Sequence, residues 1–149
     1  MIRRLTLAIA YGLALAASFA AAWFALERPA SARFLASALL LFVAASVAAV
    51  LTRIALAWLD RRPDTSRLAA ALLGLFGGTS ALASFLLFLV HVATTEIPWD
   101  ISLGHFVFWT LIQGAGAIYV YLTIVGWLLL PAGVPATLLF AVLLARRPR

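Results

Sequence analysis

Residues 105–145 lie within the longest uncharged segment of the chain and contain no Asp, Glu, Lys or Arg. A straight α-helix of that length extends about 60 Å at 1.5 Å per residue, twice the roughly 30 Å of a bilayer's hydrocarbon core. The segment must therefore bend, lie partly flat or turn back. We expect this near Gly114 and Gly116 or at Pro131 and Pro135, since proline lacks a backbone donor and clashes with the preceding turn.

Three further apolar segments precede this one, and together they predict an integral membrane protein. Hydrophobic residues make up 66% of the 149-residue chain, whereas about 45–50% is typical of soluble domains. We expect one transmembrane domain over residues 1–149, with spans at 5–26, 34–59, 68–92 and 105–145, the last containing a break. The first segment resembles a signal peptide, but its apolar run of roughly 22 residues is long enough to remain as a spanning helix.

The arginines predict the orientation of the chain. With four spans and a cytoplasmic N-terminus, nine of the eleven basic residues lie inside and two lie outside, as the positive-inside rule requires. A fifth span would export the three C-terminal arginines and remove this bias. We therefore predict an all-α, four-helix transmembrane bundle in a bacterial-type inner membrane, with both termini cytoplasmic and five spans as the alternative. Loops 27–33 and 93–104 are then external, and loop 60–67 is cytoplasmic.

Composition also limits the chemistry of the protein. The chain has no cysteine, which excludes disulfides, thiolate metal sites and thiol nucleophiles. Its arginines lie at the ends of apolar segments, where they suit phospholipid head groups rather than nucleic acid. No serine-hydrolase elbow, phosphate-binding loop or zinc-protease motif is present. We expect a protein that is not an enzyme and that needs no cofactor.

The stretch HVATTEIPWDISLGH, residues 91–105, carries the candidate ligands. His91 and His105 flank it and should lie at similar depth near the outer face, with Glu96 and Asp100 between them. Such a set could hold a metal or a haem. The favoured interpretation is a plain connecting loop in which Asp100 caps the following helix. A contact with a ligand or partner is a further alternative.

Gln113 carries the only side-chain amide of the sequence and lies within an apolar segment. Its donors and acceptor need a partner inside the membrane, so a hydrogen bond between helices is favoured over a substrate or ion contact. Four aromatic residues occur in the same segment. They are Trp109, Tyr119, Tyr121 and Trp127, and they indicate interfacial packing or, alternatively, a pocket for lipid, quinone or pigment.

Small residues recur at helical spacing and predict close helix packing. Gly12 lies on the first span, and Gly74 and Gly78 form a G-x-x-x-G pair on the third. Gly114 and Gly116 are candidates of the same kind on the last span. The pattern does not show whether such residues pack within one chain or against another subunit.

Three functional hypotheses follow from these features. The first is a non-enzymatic accessory, scaffolding or assembly subunit that contacts other membrane subunits, or a second copy of itself, through its helices. The second is a small homo-oligomeric transporter, channel or lipid-handling protein, for which Gln113, Gly114 and Gly116 and the hinge prolines Pro131 and Pro135 are the motive. The third is a haem- or quinone-binding anchor of a redox enzyme that uses His91 and His105.

Overall fold

The fold is all-helical throughout the residues that the computed structural model describes, which are 2–59, 62–95 and 102–146, without the side chains of residues 2–4 and 124. The α-helices are α1 (Ile2–Ala25), α2 (Ala32–Trp58), α3 (Asp64–Leu72), α4 (Gly78–Thr94), α5 (Leu103–Val120) and α6 (Trp127–Ala145). A first π segment, Leu73–Gly77, joins α3 to α4, and a second, Tyr121–Gly126, joins α5 to α6. These ranges contain no strand.

Five helical stretches are long and apolar enough to cross a membrane. They are Leu5–Ala25, Ala32–Trp58, Asp64–Thr94, Leu103–Thr123 and Trp127–Ala145. Large apolar side chains point outward along them, among them Trp58 and Leu103, which are at least 80% exposed. Burial of such surface in lipid, rather than in a protein core, explains the composition. The prediction of an all-α fold is therefore confirmed for the described residues, and the five apolar stretches make a multi-pass membrane protein plausible.

The helix boundaries follow ordinary capping rules. Ser31 precedes α2, and its hydroxyl accepts a hydrogen bond from the Phe34 amide at 3.2 Å. The helix that begins at Asp64 starts four residues earlier than predicted, because Pro63 and Asp64 initiate a polar first turn that the apolar pattern does not reveal. Ser102 caps α5, so the cap role predicted for Asp100 belongs to Ser102.

Four of the helical units pack into a closed ring. Helix α1 lies between α2 and α6, α2 contacts α4 and the first π segment, and α3 contacts α6. Helix α5 lies outside this ring and packs mainly against α4. The centre of the bundle is filled by Tyr11, Leu15, Phe19, Leu41 and Leu75, each at most 3% exposed.

Three of the predicted packing glycines lie against α2. A methyl group on Gly12 would lie 2.7 Å from the Phe42 carbonyl oxygen, and one on Gly74 would lie 2.8 Å from a methyl carbon of Thr52. Gly78 faces Ala48 at 3.3 Å. These glycines therefore allow α1 and the Asp64–Thr94 helix to approach α2 closely within one chain.

Gly114 and Gly116 behave differently. An added methyl group on either residue would meet no atom within 4 Å. Both residues lie on α5, the helix outside the ring. The absence of a side chain at these two glycines thus leaves open space, and it is not used for a close helix contact within the described chain.

Residues 103–145 remain helical without interruption. The sequence predicts that the last helix is kinked or broken near Pro131 and Pro135; the break is absent, because α6 runs through both residues, and the kink stays a prediction. Hydrogen bonding departs from the α pattern earlier, in the second π segment. Both prolines have exposed side chains, and local adjustment of neighbouring hydrogen bonds lets membrane helices tolerate such residues.

Two contacts show how this long helical stretch fits beside the Asp64–Thr94 helix. Arg67 Nε donates to the Ala145 carbonyl at 3.3 Å, and the hydroxyls of Ser80 and Tyr121 lie 3.5 Å apart. Between these contacts the path is 13 residues, about 20 Å, on one helix and 24 residues, about 36 Å, on the other. About 16 Å of the C-terminal stretch therefore has no counterpart on the Asp64–Thr94 helix between these contacts, and the two helices do not pair residue for residue here.

Replacing Gly12 with Ala should lower the free energy of unfolding by about 1–3 kcal/mol, because the new methyl must displace the backbone of α2. Gly77→Ala is the matched control, since its methyl meets no atom within 4 Å and alanine favours helix by up to about 1 kcal/mol. Thermal unfolding in detergent, followed by circular dichroism, measures both. Equal melting temperatures for the two variants would contradict the close approach of α1 and α2.

Candidate functional site

A cluster of hydroxyl groups joins three helices in the interior of the bundle. Tyr11 on α1 is fully buried. Its hydroxyl lies 3.2 Å from Thr137 Oγ1 on α6 and 3.4 Å from Thr79 Oγ1 on α4. Buried polar groups in an apolar setting require such partners.

The direction of these hydrogen bonds follows from the number of hydrogens available. Thr137 donates its hydroxyl hydrogen to the Gly133 carbonyl at 2.8 Å, so its oxygen must accept from Tyr11. The hydrogen of Tyr11 is then used, and Thr79 donates to Tyr11. The result is a one-way chain from Thr79 through Tyr11 and Thr137 to a backbone carbonyl, in which each hydroxyl hydrogen has an acceptor.

A second pair of hydroxyls lies beside this chain. Ser80 follows Thr79 on α4, and its hydroxyl is 3.5 Å from that of Tyr121, at the start of the second π segment. The Tyr121 side chain is buried against Ala44 and Ala83. Ser84, one turn beyond Ser80, is also buried, and it makes no hydrogen bond to any residue within the described ranges.

The Ser80–Tyr121 pair separates two spaces between the helices. A cavity of about 60 Å³ lies toward Tyr11, Thr79 and Thr137. On the other side, a groove of about 420 Å³ lies between α4 and α5, and we call it the α4–α5 groove. Its lining includes the hydroxyls of Ser80, Ser84 and Tyr121, the rings of Phe85 and Phe88, and Gly114.

The predicted ligand histidines are both on the surface of the described structure. His91 lies in the last turn of α4, and its carbonyl accepts hydrogen bonds from Thr94 and Thr95. His105 lies in the first turn of α5, where its Nδ1 is 2.8 Å from Ser102 Oγ. Glu96 and Asp100 lie outside the described residues. Among the described residues, no group of three or more His, Cys, Asp or Glu side chains could hold a metal ion.

Gln113 differs from the other polar side chains of its helical stretch. Thr110 and Thr123 donate to their own backbone at 2.9 and 2.7 Å, on Phe106 and Tyr119. The half-buried amide of Gln113 makes no hydrogen bond to any residue that the structure describes. The Gln113 amide is therefore a partly exposed polar group without a hydrogen-bond partner in the described part of the chain.

The four predicted aromatic residues differ in how deeply their side chains are buried. Tyr119 and Trp127 are at least 67% exposed, and Trp109 is half-buried beside Phe106, with ring centroids 6.3 Å apart. Tyr121 alone of the four is buried and reaches a pocket. Of the four residues, Tyr121 therefore fits the alternative prediction of an aromatic-lined pocket.

Sequence reasoning did not find the hydroxyls that surround the two spaces. Thr79, Ser80 and Ser84 on α4, Tyr11 on α1 and Thr137 on α6 are ordinary residues, and only the tertiary arrangement brings the three helices together. A usable signal was the spacing of Ser80 and Ser84, four residues apart on one face of an apolar helix. No protein-family model, curated protein or solved structure matches this chain.

Tyr11→Phe should destabilise the bundle by about 1–2 kcal/mol, because it leaves the Thr79 hydrogen and a Thr137 lone pair without partners. Tyr119→Phe removes the same hydroxyl from an exposed tyrosine and should leave stability unchanged. Reversible unfolding in mixed micelles measures the difference. If both variants lose stability equally, the three-helix chain has no structural role.

Proposed function

We propose that this protein is a non-enzymatic accessory or assembly subunit that docks a transmembrane helix of another membrane subunit against α5. The observation that carries the proposal is Gln113, a half-buried amide with no hydrogen-bond partner among the described residues. Lipid chains can cover apolar side chains, but they offer no donor or acceptor to an amide. A polar group on a second helix can supply the hydrogen bond that the amide lacks.

The position of α5 supports this role. The other candidate spans pack into the ring, whereas α5 packs mainly against α4. Only 11% of its apolar window is buried, compared with 22–33% for the other candidate spans. Helix α5 is therefore the part of the molecule with the most surface left for a neighbour.

One face of α5 has the pattern of a helix-packing seam. Trp109, Gln113, Gly116 and Val120 are separated by four, three and four residues, the spacing that keeps side chains on one face. Gly116 offers open space where a second backbone could approach. We call these four residues the Gln113 face. A small residue beside an amide suits contact with another helix.

The proposal places both termini in the cytoplasm and counts the C-terminal stretch as one span. Helix α6 packs against α3, and its last residue accepts a hydrogen bond from Arg67, while α5 packs against α4. The stretch thus lies along the whole Asp64–Thr94 helix. Five spans would need a reversal near the second π segment, where the chain stays helical. The excess of arginine on the proposed cytoplasmic side supports the same orientation in an inner membrane.

A photocrosslinker tests the docking face. The chain has no cysteine, so benzophenone-maleimide can be attached at Gly116→Cys and, as the control, at Ala115→Cys, which is exposed and about 100° around the helix. We expect a discrete protein adduct in native membranes from position 116 and lipid adducts from position 115. An adduct of about twice the 16.0 kDa chain mass identifies a second copy; any other mass identifies a different subunit.

Adding Gln113→Leu should reduce the adduct from position 116 by about three- to tenfold, because one hydrogen bond between helices is lost. Thr123→Val is the matched control, since the Thr123 hydroxyl is already satisfied within its own helix. Adduct yields quantified on blots report both variants. If Gln113→Leu and Thr123→Val give the same yield as the unaltered sequence, the amide does not hold a partner.

Single-cysteine labelling tests the orientation. With four spans, a membrane-impermeant maleimide added to intact spheroplasts should label Ser102→Cys, while Ser66→Cys and Arg146→Cys should react only after permeabilisation. All three positions are exposed in the structure. External labelling of Arg146→Cys, with Ser66→Cys still protected, would establish five spans instead.

A further inference from the structure

We infer that the α4–α5 groove is a binding site for a flat, neutral, lipid-soluble ring that carries a carbonyl oxygen, the chemistry of a quinone. The groove does not use the Gln113 face. The groove is lined by Gly114, whereas the Gln113 face contains Gly116. These two glycines are two residues apart and point about 200° apart around α5. The two sites can therefore be tested separately.

The first argument concerns hydroxyl hydrogens. Ser80 and Tyr121 together carry two hydroxyl hydrogens, and the 3.5 Å hydrogen bond between the two residues uses only one of them. Ser84 carries a third, without an acceptor among the described residues. Two hydroxyl hydrogens therefore lack an acceptor among the described residues, one on Ser84 and one on the Ser80–Tyr121 pair, and all three residues line the groove. Such groups are costly in an apolar setting. A carbonyl oxygen accepts two hydrogen bonds and brings no competing donor.

The second argument concerns shape. The groove volume of about 420 Å³ is within the range of roughly 300–1,000 Å³ for small-molecule sites. Gly114 contributes no side chain, which leaves a slot beside α5, and Phe85 and Phe88 line the α4 side. Aromatic side chains favour offset or edge contacts with another ring. Ser80, Ser84 and Tyr121 line the same groove, and their hydroxyls suit an oxygen on the ring.

The third argument concerns depth. Ser80 is within one residue of the midpoint of the Asp64–Thr94 helix, so the hydroxyls lie near the centre of a membrane that this helix spans. Ester carbonyls of bilayer lipids lie at the edges of the roughly 30 Å hydrocarbon core. A neutral ring dissolved in that core reaches the middle. Depth therefore favours a ring carbonyl over the ester of a diacyl lipid.

The experiment titrates the full-length protein in detergent with a decyl-substituted benzoquinone and, in parallel, with a dioctanoyl glycerol, using empty micelles as the blank. Calorimetry measures the dissociation constant. We expect saturable binding of the quinone and none of the glycerolipid. Absence of saturable quinone binding, or preference for the glycerolipid, overturns the assignment.

Four variants locate the site. Gly114→Leu should abolish binding because its side chain fills the slot, and Gly116→Leu should bind as the unaltered protein does. An added Cβ meets no atom within 4 Å at either position, and circular dichroism of both variants checks that the fold is retained. Tyr121→Phe and Ser84→Ala should each weaken binding about three- to tenfold through loss of one donor. Unaltered binding by Gly114→Leu, or by both donor variants, overturns the inference.

These outcomes are independent of the docking proposal. Gly116→Leu obstructs the Gln113 face and leaves the groove open, whereas Gly114→Leu does the reverse. Crosslinking reports the first change and calorimetry the second. Failure of one proposal therefore leaves the other measurable.

Discussion

The interior of a bilayer offers no bulk water to hydrogen-bond a polar group, and the bundle depends on how its hydroxyls meet this condition. The chain from Thr79 through Tyr11 to Thr137 links α4, α1 and α6 at one level. Gly12, beside Tyr11, lets α1 lie directly on the backbone of α2. Close packing and a satisfied hydrogen-bond chain thus occur side by side, and they bring four helical units into one ring.

The ring leaves α5 in an unusual position. The C-terminal stretch lies beside α3 at Ala145 and beside α4 at Tyr121. Residues Ser80 and Tyr121 line both of the spaces between the helices. The second π segment begins at Tyr121, and such segments are frequent where a helix serves a functional site.

Helix α5 then presents two chemically different faces. The Gln113 face combines an amide lacking a partner in the described ranges with a small residue, which suits another helix. The α4–α5 groove combines spare hydroxyl donors with phenylalanine rings, which suits a small neutral ring. A subunit with both features could hold a lipid-soluble ligand beside the partner that it docks.

The membrane class, the approximate spans and the glycines that pack against α2 were predictable because they depend on local composition and helical spacing. Gln113 was conspicuous as the single amide in an apolar segment. The hydroxyl cluster and the groove were not predictable, because Tyr11, Ser80 and Tyr121 meet only after distant segments pack. The unbroken course of α6 was not predictable either, since two prolines in the sequence mark a break that the helix does not contain. Length and hydrophobicity alone make these segments candidate membrane spans, whereas their contacts depend on which faces lie together across long sequence separations.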